Sequence, residues 1–436
     1  MSSKRGFVFC ILFSLVLPAY PRDLLEVYDL ALQNDPTLKQ AFANQKAIGV
    51  NKYQSIASML PTITGRGESN FNRLKNKKAS FQGEGIQEFY EHRYTIDLNQ
   101  PVFHWDLWVQ LSQSDNQIAQ AESEYLAEQQ NLITRATEAY FNILAAQDNL
   151  AFTIAEKNAI ARQLEQAEQR FEVGLIAITD VHEAQAGYDQ VRSDEITAIN
   201  EVDNAKEALR EIISETDAPL ATLGANMPLA KPNPADIESW STNAETQNLT
   251  IISAFNEAEV ARKNIELQRS GHYPQLDIVA SHSESDNNSS FGLRGDQQQV
   301  GLQINVPIFE GGGVYLRTSK ATQEHIQAKE KLIATKREVD RQVRDAYRGV
   351  ISSISRVDAL KAAVISGESA LEATEAGFEV GTRTMVDVLT ATRNLTQARS
   401  NHSQARYDYL INGIKLKQSA SNLSLEDLQA INSYLH

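Results

Sequence analysis

Val173-Gly174-Leu175-Ile176-Ala177-Ile178-Thr179-Asp180-Val181 and Val380-Gly381-Thr382-Arg383-Thr384-Met385-Val386-Asp387-Val388 are two versions of one segment, 207 residues apart. Each follows a Phe-Glu pair, Phe171-Glu172 and Phe378-Glu379, and Tyr140 and Tyr347 keep the same spacing. Upstream, Ala41-Phe42 and Pro61 match Ala254-Phe255 and Pro274 at an offset of 213, whereas Pro101 and Phe103 match Pro307 and Phe309 at 206. The second copy is therefore seven residues shorter between its paired prolines. One unit of about 200 residues is used twice, which is the mark of a quasi-symmetric assembly rather than of a single catalytic cleft.

The repeat divides the chain into residues 21–216 and 236–423, with a C-terminal tail at 424–436. Between the copies, residues 217–235 hold Pro219, Pro228, Pro232 and Pro234, four of the chain's eleven prolines. Such density forbids helix and predicts an ordered belt or linker. At the start, Ser2-Ser3-Lys4-Arg5 precedes an apolar run from Gly6 to Leu17. That is the anatomy of a signal peptide over roughly residues 1–20, with a retained anchor as the alternative. The only cysteine, Cys10, lies inside this run, so the mature chain is expected to carry no thiol, disulfide or lipid anchor. Loss of Lys4 and Arg5 would take the net charge from −15 to −17. A surface this acidic is a poor partner for nucleic acid, whose phosphates need clustered Lys and Arg.

Proline is absent from Val102 to Ala218 and from Ile308 to His436. Across the first of these runs Leu111, Ile118, Tyr125, Leu132, Ala139 and Ala146 recur at a spacing of seven. Sustained heptads predict long helices packed as coiled coils. A helix from about Trp105 to Phe171 would be roughly 100 Å long at 1.5 Å per residue. The segments at Gly174 and Gly381 then break the helices, and second helices return to near Ile213 and Ser419.

Within residues 62–103 and 275–309 the period changes to two. Val300, Leu302, Ile304 and Val306 alternate with Gln299, Gly301, Gln303 and Asn305, and Tyr94, Ile96 and Leu98 alternate with Thr95, Asp97 and Asn99. Each region predicts two strands joined by a polar loop, near residues 76–88 and 287–296. Strands with one apolar and one polar face are the pattern of a transmembrane β-barrel, and also of a half-buried antiparallel sheet. No stretch of the mature chain is apolar enough for a membrane-spanning helix. Four strands cannot close a barrel, and an open edge in lipid leaves backbone groups unpaired, so two or three chains must share one.

Motifs for chemistry are missing. The histidines, His182, His272 and His325 among them, form no metal-binding pair, and Gly311-Gly312-Gly313 lacks the Lys and Ser/Thr of a phosphate loop. These glycines predict a bend where strand becomes helix, although the first copy has Trp105-Asp106-Leu107 there. The expectation is of no enzyme activity, no cofactor and no metal.

The duplicated layout, the Pro-x-Phe joins at Pro101–Phe103 and Pro307–Phe309 and the two Val-Gly turns resemble the TolC family of outer membrane efflux proteins over essentially the whole mature length. The resemblance implies a mainly α fold with β: a long coiled-coil helical barrel, internally duplicated, joined to a transmembrane β-barrel with four strands per protomer. It implies a homotrimer in the outer membrane lipid with a large periplasmic part. Function would be that of an exit duct for drugs or other small molecules, loaded by an inner-membrane transporter through a periplasmic adaptor. A type I protein secretion duct is the alternative within the class. A periplasmic adaptor or coiled-coil scaffold is the alternative outside it, although adaptors lack the doubled strand pairs. By the same resemblance Asp387 forms an acidic ring at the narrowest part of the lumen, and Arg383 latches to Thr179 and Asp180 between neighbouring coiled coils. Gly174, Leu175, Gly381 and Thr382 form the tips on which an adaptor docks. From the residues alone, Thr384-x-x-Asp387 also fits a helix-capping box. Two positions depart from the family's well-known form: Thr390 stands where that form has a second acid, and Phe378 where it has a tyrosine.

Overall fold

A computed structural model describes residues 21–76, 85–215, 218–225, 227–289 and 294–436. The expected signal peptide, Cys10 and Asp217 lie outside the described residues. Helices α1 (Leu24–Asn34) and α2 (Pro36–Ala57) precede strands β1 (Thr62–Asn76) and β2 (Gly85–Phe103), then helices α3 (Trp105–Glu172) and α4 (Ile178–Ile213). The same order follows as α5 (Ile237–Gln247), α6 (Leu249–Arg269), β3 (Gln275–Asn287), β4 (Arg294–Asn305), α7 (Gly313–Glu379) and α8 (Met385–Ser419). A short α9 (Leu425–Asn432) ends the chain. The described residues fall into two compact units, one drawn from 21–36, 130–237 and 344–436, the other from 37–129 and 238–343.

The second unit carries the sheet. Its strands run in the order β1-β2-β3-β4, all antiparallel, so β1 and β4 have one neighbour each among the described residues. Register aligns Ile63 with Leu98, Leu98 with Ala280 and Ala280 with Val300, and Ile278 with Leu302 and Leu276 with Ile304. Successive side chains of a strand point to opposite faces, so these residues share one face. The other face carries Thr64, Asp97, Ser281 and Gln299 in one row and Glu68, Arg93 and Ser285 in another. Val300 is 80% exposed, Leu302 73% and Ile63 68%, an apolar surface that water would not tolerate at this extent.

Strand lengths differ from expectation at both ends. The strands reach into the presumed loops, since β2 begins at Gly85 and β4 at Arg294. Arg73 sits opposite Glu88 with a 3.2 Å ion pair, and Arg294 opposite Asp286 at 3.1 Å; opposite charges facing across a ladder favour its extension. At the other end β4 stops at Asn305 rather than 309, because Pro307 has no N–H to donate. In β2 the corresponding Pro101 is accommodated by a register shift between Pro101 and Phe103.

The two strand-to-helix joins are built differently. His104, which precedes α3, lies 3.1 Å from Asp277 and 3.8 Å from Asp106, pinning the first join to β3. The second join holds Gly311 and Gly312 at φ 59° and 82°, a left-handed bend open to glycine at no steric cost. Helices α2 and α6 flank the start of α3 through Lys52–Asp115 at 2.8 Å and Asn116–Asn256 at 2.9 Å.

The other unit carries the largest fully buried side chains. Tyr140, Phe141, Leu132 and Leu144 of α3 are fully buried together with Leu24, Leu209, Ile414 and Leu428. Arg135 clamps the buried Asp35 bidentately at 2.8 and 3.1 Å. The proline-rich segment is pinned backbone to backbone: Arg22 N–H donates to Pro219 at 2.8 Å, and Thr222 and His436 exchange bonds of 3.0 and 2.9 Å. Tyr140 adds a 2.7 Å bond to the Ala221 carbonyl, whereas its repeat partner Tyr347 is only half-buried. The tail expected at 424–436 contains α9, because Leu428, Ile431 and Leu435 present one apolar face that buries.

Helices α3 and α8 run antiparallel along a seam of polar rungs: Thr134–Gln418 at 2.9 Å, Glu138–Lys415 at 2.6 Å, Asp148–Tyr407 at 2.8 Å and Asn149–Ser400 at 3.0 Å. The next rung is Glu156, 9% exposed, in a cavity of about 270 Å³ shared with Arg393 and Thr396 of α8 and Asp194 and Glu201 of α4. Burial pushes the Glu156 carboxyl above its ordinary range, the Thr396 hydrogen bond and Arg393 pull it down, and Asp194 raises it. A raised carboxyl means that the packed seam binds the proton more tightly than the unfolded chain does, so ionised Glu156 costs stability. Glu156→Gln should therefore melt at a higher temperature than wild type at pH 8. The difference should shrink as pH falls through the raised value towards about 4.5. Melting curves from pH 8 to 4.5 check it; a difference independent of pH contradicts it.

Candidate functional site at the helix turns

Both long hairpins turn by the same device. Where α3 ends, Gly174 adopts φ 75°, its N–H donates to Phe171 at 2.9 Å and that of Leu175 to Arg170 at 2.8 Å. At the end of α7, Gly381 adopts φ 76° with Gly381 N–H to Phe378 at 3.1 Å and Thr382 N–H to Gly377 at 2.8 Å. This pair of nested bonds is the Schellman arrangement, and a positive φ at its centre favours glycine.

The returning helices start with carboxylate caps. Asp387 accepts the Thr384 N–H at 2.9 Å, while its own N–H donates to the Thr384 hydroxyl at 3.2 Å. The capping box read from the sequence is thus formed. The Thr384 N–H and then the Thr384 hydroxyl, which donates to Asp387 Oδ2 at 2.9 Å, hold the Asp387 carboxyl below its ordinary range, with Arg383 contributing least. The carboxylate is therefore ionised at neutral pH. In α4, Asp180 accepts the Ala177 N–H at 3.3 Å, and Ala177 has no hydroxyl to return the bond.

The hairpin ends pack on each other through Ala167, Ala184 and Met385, with Leu164, Ile176, Val181, Phe378 and Leu389 around them. Gly187 allows this approach, since a Cβ there would lie 3.2 Å from Leu389 Cδ1. Arg383 is placed by a residue the sequence reading passed over. A Cβ on Gly377 would come within 2.7 Å of Arg383 Cγ, so only glycine lets the arginine stem lie across the end of α7. The repeat offers a signal for it, because the first copy has Arg170 where the second has Gly377.

Within one chain the structure does not join the expected latch. Arg383 forms no ion pair or hydrogen bond with Thr179 or Asp180 among the described residues, Thr179 is exposed, and Asp180 is engaged in its cap. At the turns Val173, Leu175 and Val380 are each at least 70% exposed, leaving apolar side chains beside bare backbone at Gly174 and Gly381.

Residues 27–215 and 240–422 match the family model described as outer membrane efflux protein. The chain belongs to the outer membrane efflux protein family. Similarity to the outer membrane protein TolC of Vibrio cholerae is 38% identity, covering 98% of this chain and 97% of that one. The alkaline protease secretion protein AprF of Pseudomonas aeruginosa is 29% identical over 95% of this chain and 87% of its own. Among solved structures, the Campylobacter jejuni CmeC outer membrane channel superposes with a TM-score of 0.80 at 16% identity, covering 95% of this chain and 90% of that one. Efflux-family architecture accounts for the sheet: long coiled-coil helices joined to a four-stranded contribution to a β-barrel of the outer membrane.

Gly381→Ala should strain the second turn by about 1–2 kcal/mol, the cost of a left-handed alanine. Amides 378–384 should exchange faster, with global melting lowered by no more than that strain allows; exchange at wild-type rates would remove the turn's dependence on glycine.

Proposed function

We propose that copies of this chain assemble as a homotrimer into a passive exit duct of an envelope-spanning export system. Its strands form one shared barrel in outer membrane lipid, and its helices form a conduit in the periplasm. Drugs or other small molecules enter from an inner-membrane transporter through a periplasmic adaptor that docks at Gly174, Leu175, Gly381 and Thr382. No covalent chemistry is involved, and residues 1–20 direct export as a cleaved signal peptide. The carrying observation is a sheet with one apolar face, one polar face and two open edges, mounted on the helices of an efflux-family protein. Protein secretion through the same duct is a second reading, supported by likeness to a protein named for protease secretion.

At the tips, the proposal gives Asp387 two roles in one geometry. Its carboxylate caps α8, and, ionised and solvent-facing, it joins its counterparts from the other subunits in a ring that attracts cations. Arg383, held across its own helix end, reaches Thr179 and Asp180 of a neighbouring subunit to close the tip. Thr390 leaves the ring with one acid per subunit, so cation attraction is modest.

Purified protein in planar bilayers tests this reading. Wild type should conduct with a cation preference, Asp387→Asn should reduce that preference, and Thr390→Asp should increase it. Reversal potentials across a salt gradient that do not move in either variant leave Asp387 with capping alone. Absence of any conductance from correctly folded wild type rejects the duct. Separately, Arg383→Ser should raise single-channel conductance; unchanged conductance would make Arg383 a surface residue.

A further inference from the structure

The two hairpins of the chain are joined at their tips by a contact that the repeat does not duplicate. Arg170, on the last turn of α3, sets its guanidinium over the ring of Phe378, on the last turn of α7, with 5.3 Å from the guanidinium carbon to the ring centroid. A cation within about 6 Å of a ring face is drawn to its negative π surface. Among the described residues Arg170 forms no ion pair, so the ring is the group its charge faces. Phe378 in turn packs at the edge of the apolar cluster of Ala167, Ala184 and Met385. The reverse contact does not form: Phe171 is the repeat partner of Phe378, but Gly377 stands in the place of Arg170. Gly377 is needed there for the stem of Arg383.

We infer that Arg170 and Phe378 form a cation–π clasp that holds the α3–α4 hairpin against the α7–α8 hairpin within each protomer, and that it biases the tip towards its closed arrangement. The closed-tip part rests on the duct reading; the clasp itself does not. Phe378 has no hydroxyl, so a hydrogen bond to a carboxylate across the hairpins is not open to it, whereas its ring face is. Arg170 is a positioning residue in this account, acting through the ring rather than on any cargo. Unlike a surface ion pair, a cation on a partly desolvated ring is weakly screened by salt.

A double-substitution cycle on the full-length protein in detergent tests the clasp. Arg170→Met keeps an unbranched apolar stem and removes the charge; Phe378→Leu keeps an apolar side chain and removes the ring; Phe378→Tyr keeps the ring. The first readout is amide exchange at 171–181 and 378–388. Arg170→Met should speed exchange in both turns, including the one it does not belong to, by roughly fivefold. It should do nothing further once Phe378→Leu is present, and Phe378→Tyr, which keeps the ring face and adds a hydroxyl, should not speed exchange in either turn. Additive effects of the two substitutions, or an effect of Arg170→Met confined to its own turn, overturn the clasp. Single-channel conductance is the second readout. Arg170→Met should raise it non-additively with Phe378→Leu. Coupled exchange with unchanged conductance would keep the clasp and overturn its part in closure. Wild-type protein that exchanges as expected but never conducts would instead sink the duct reading.

Discussion

A row of unpaired backbone N–H and C=O groups cannot be left facing hydrocarbon, where each such group costs several kcal/mol. This sheet has two such rows. Strand β1 is 15 residues long and β4 is 12, each with one neighbour among the described residues, and one face of the sheet is apolar along the row from Ile63 to Val300. In water the edges could be solvated, but then the apolar face would be exposed. In lipid that face is at home and the edges are not. Only pairing β1 of one copy with β4 of the next meets both demands, and it makes the barrel a property of several chains. In the assembly proposed above, that symmetry extends to the helices covalently joined to the sheet.

Duplication supplies matching hairpins, and the departures from duplication make the two differ. At the strand-to-helix joins, His104 is pinned to Asp277 while Gly311 and Gly312 leave the second join free of side chains. At the far turns, Arg170 covers Phe378, while Gly377 gives up its side chain so that Arg383 can lie over the helix end. The first hairpin supplies the cation of the internal contact, and the second supplies an arginine free to reach outward. Within the unit that carries the turns, α3 and α8 share a seam of side-chain hydrogen bonds, each of which needs its register. Sliding one helix against the other would break several at once, so tip rearrangement is easier near Ala167 and Met385, where the seam is apolar.

The long-range plan was legible because it is written in periods. Heptads from Leu111 to Ala146 and the proline-free runs marked α3 to within a residue of its observed end at Glu172. Alternation around Val300 marked β4, and Gly174 and Gly381 marked the turns. Strand ends were harder. Arg73, Glu88, Asp286 and Arg294 look like loop residues one at a time, and become strand only when the register sets opposite charges face to face. Helix α9 was hidden because its apolar face needs a groove supplied by distant residues. At the site, the Thr384–Asp387 cap is local and was readable, whereas Gly377 gave no motif of its own and Arg170 acts across hairpins, with a partner set by tertiary packing.

Closure by neighbouring copies is the claim on which the whole account stands. Native mass measurement of the detergent-solubilised protein, with strand content followed on the same sample, tests it directly. The account predicts a complex of three chains whose strand signal disappears together with the complex. A monodisperse single chain that keeps its full strand content in detergent would contradict it, because its open edges would then need no partner.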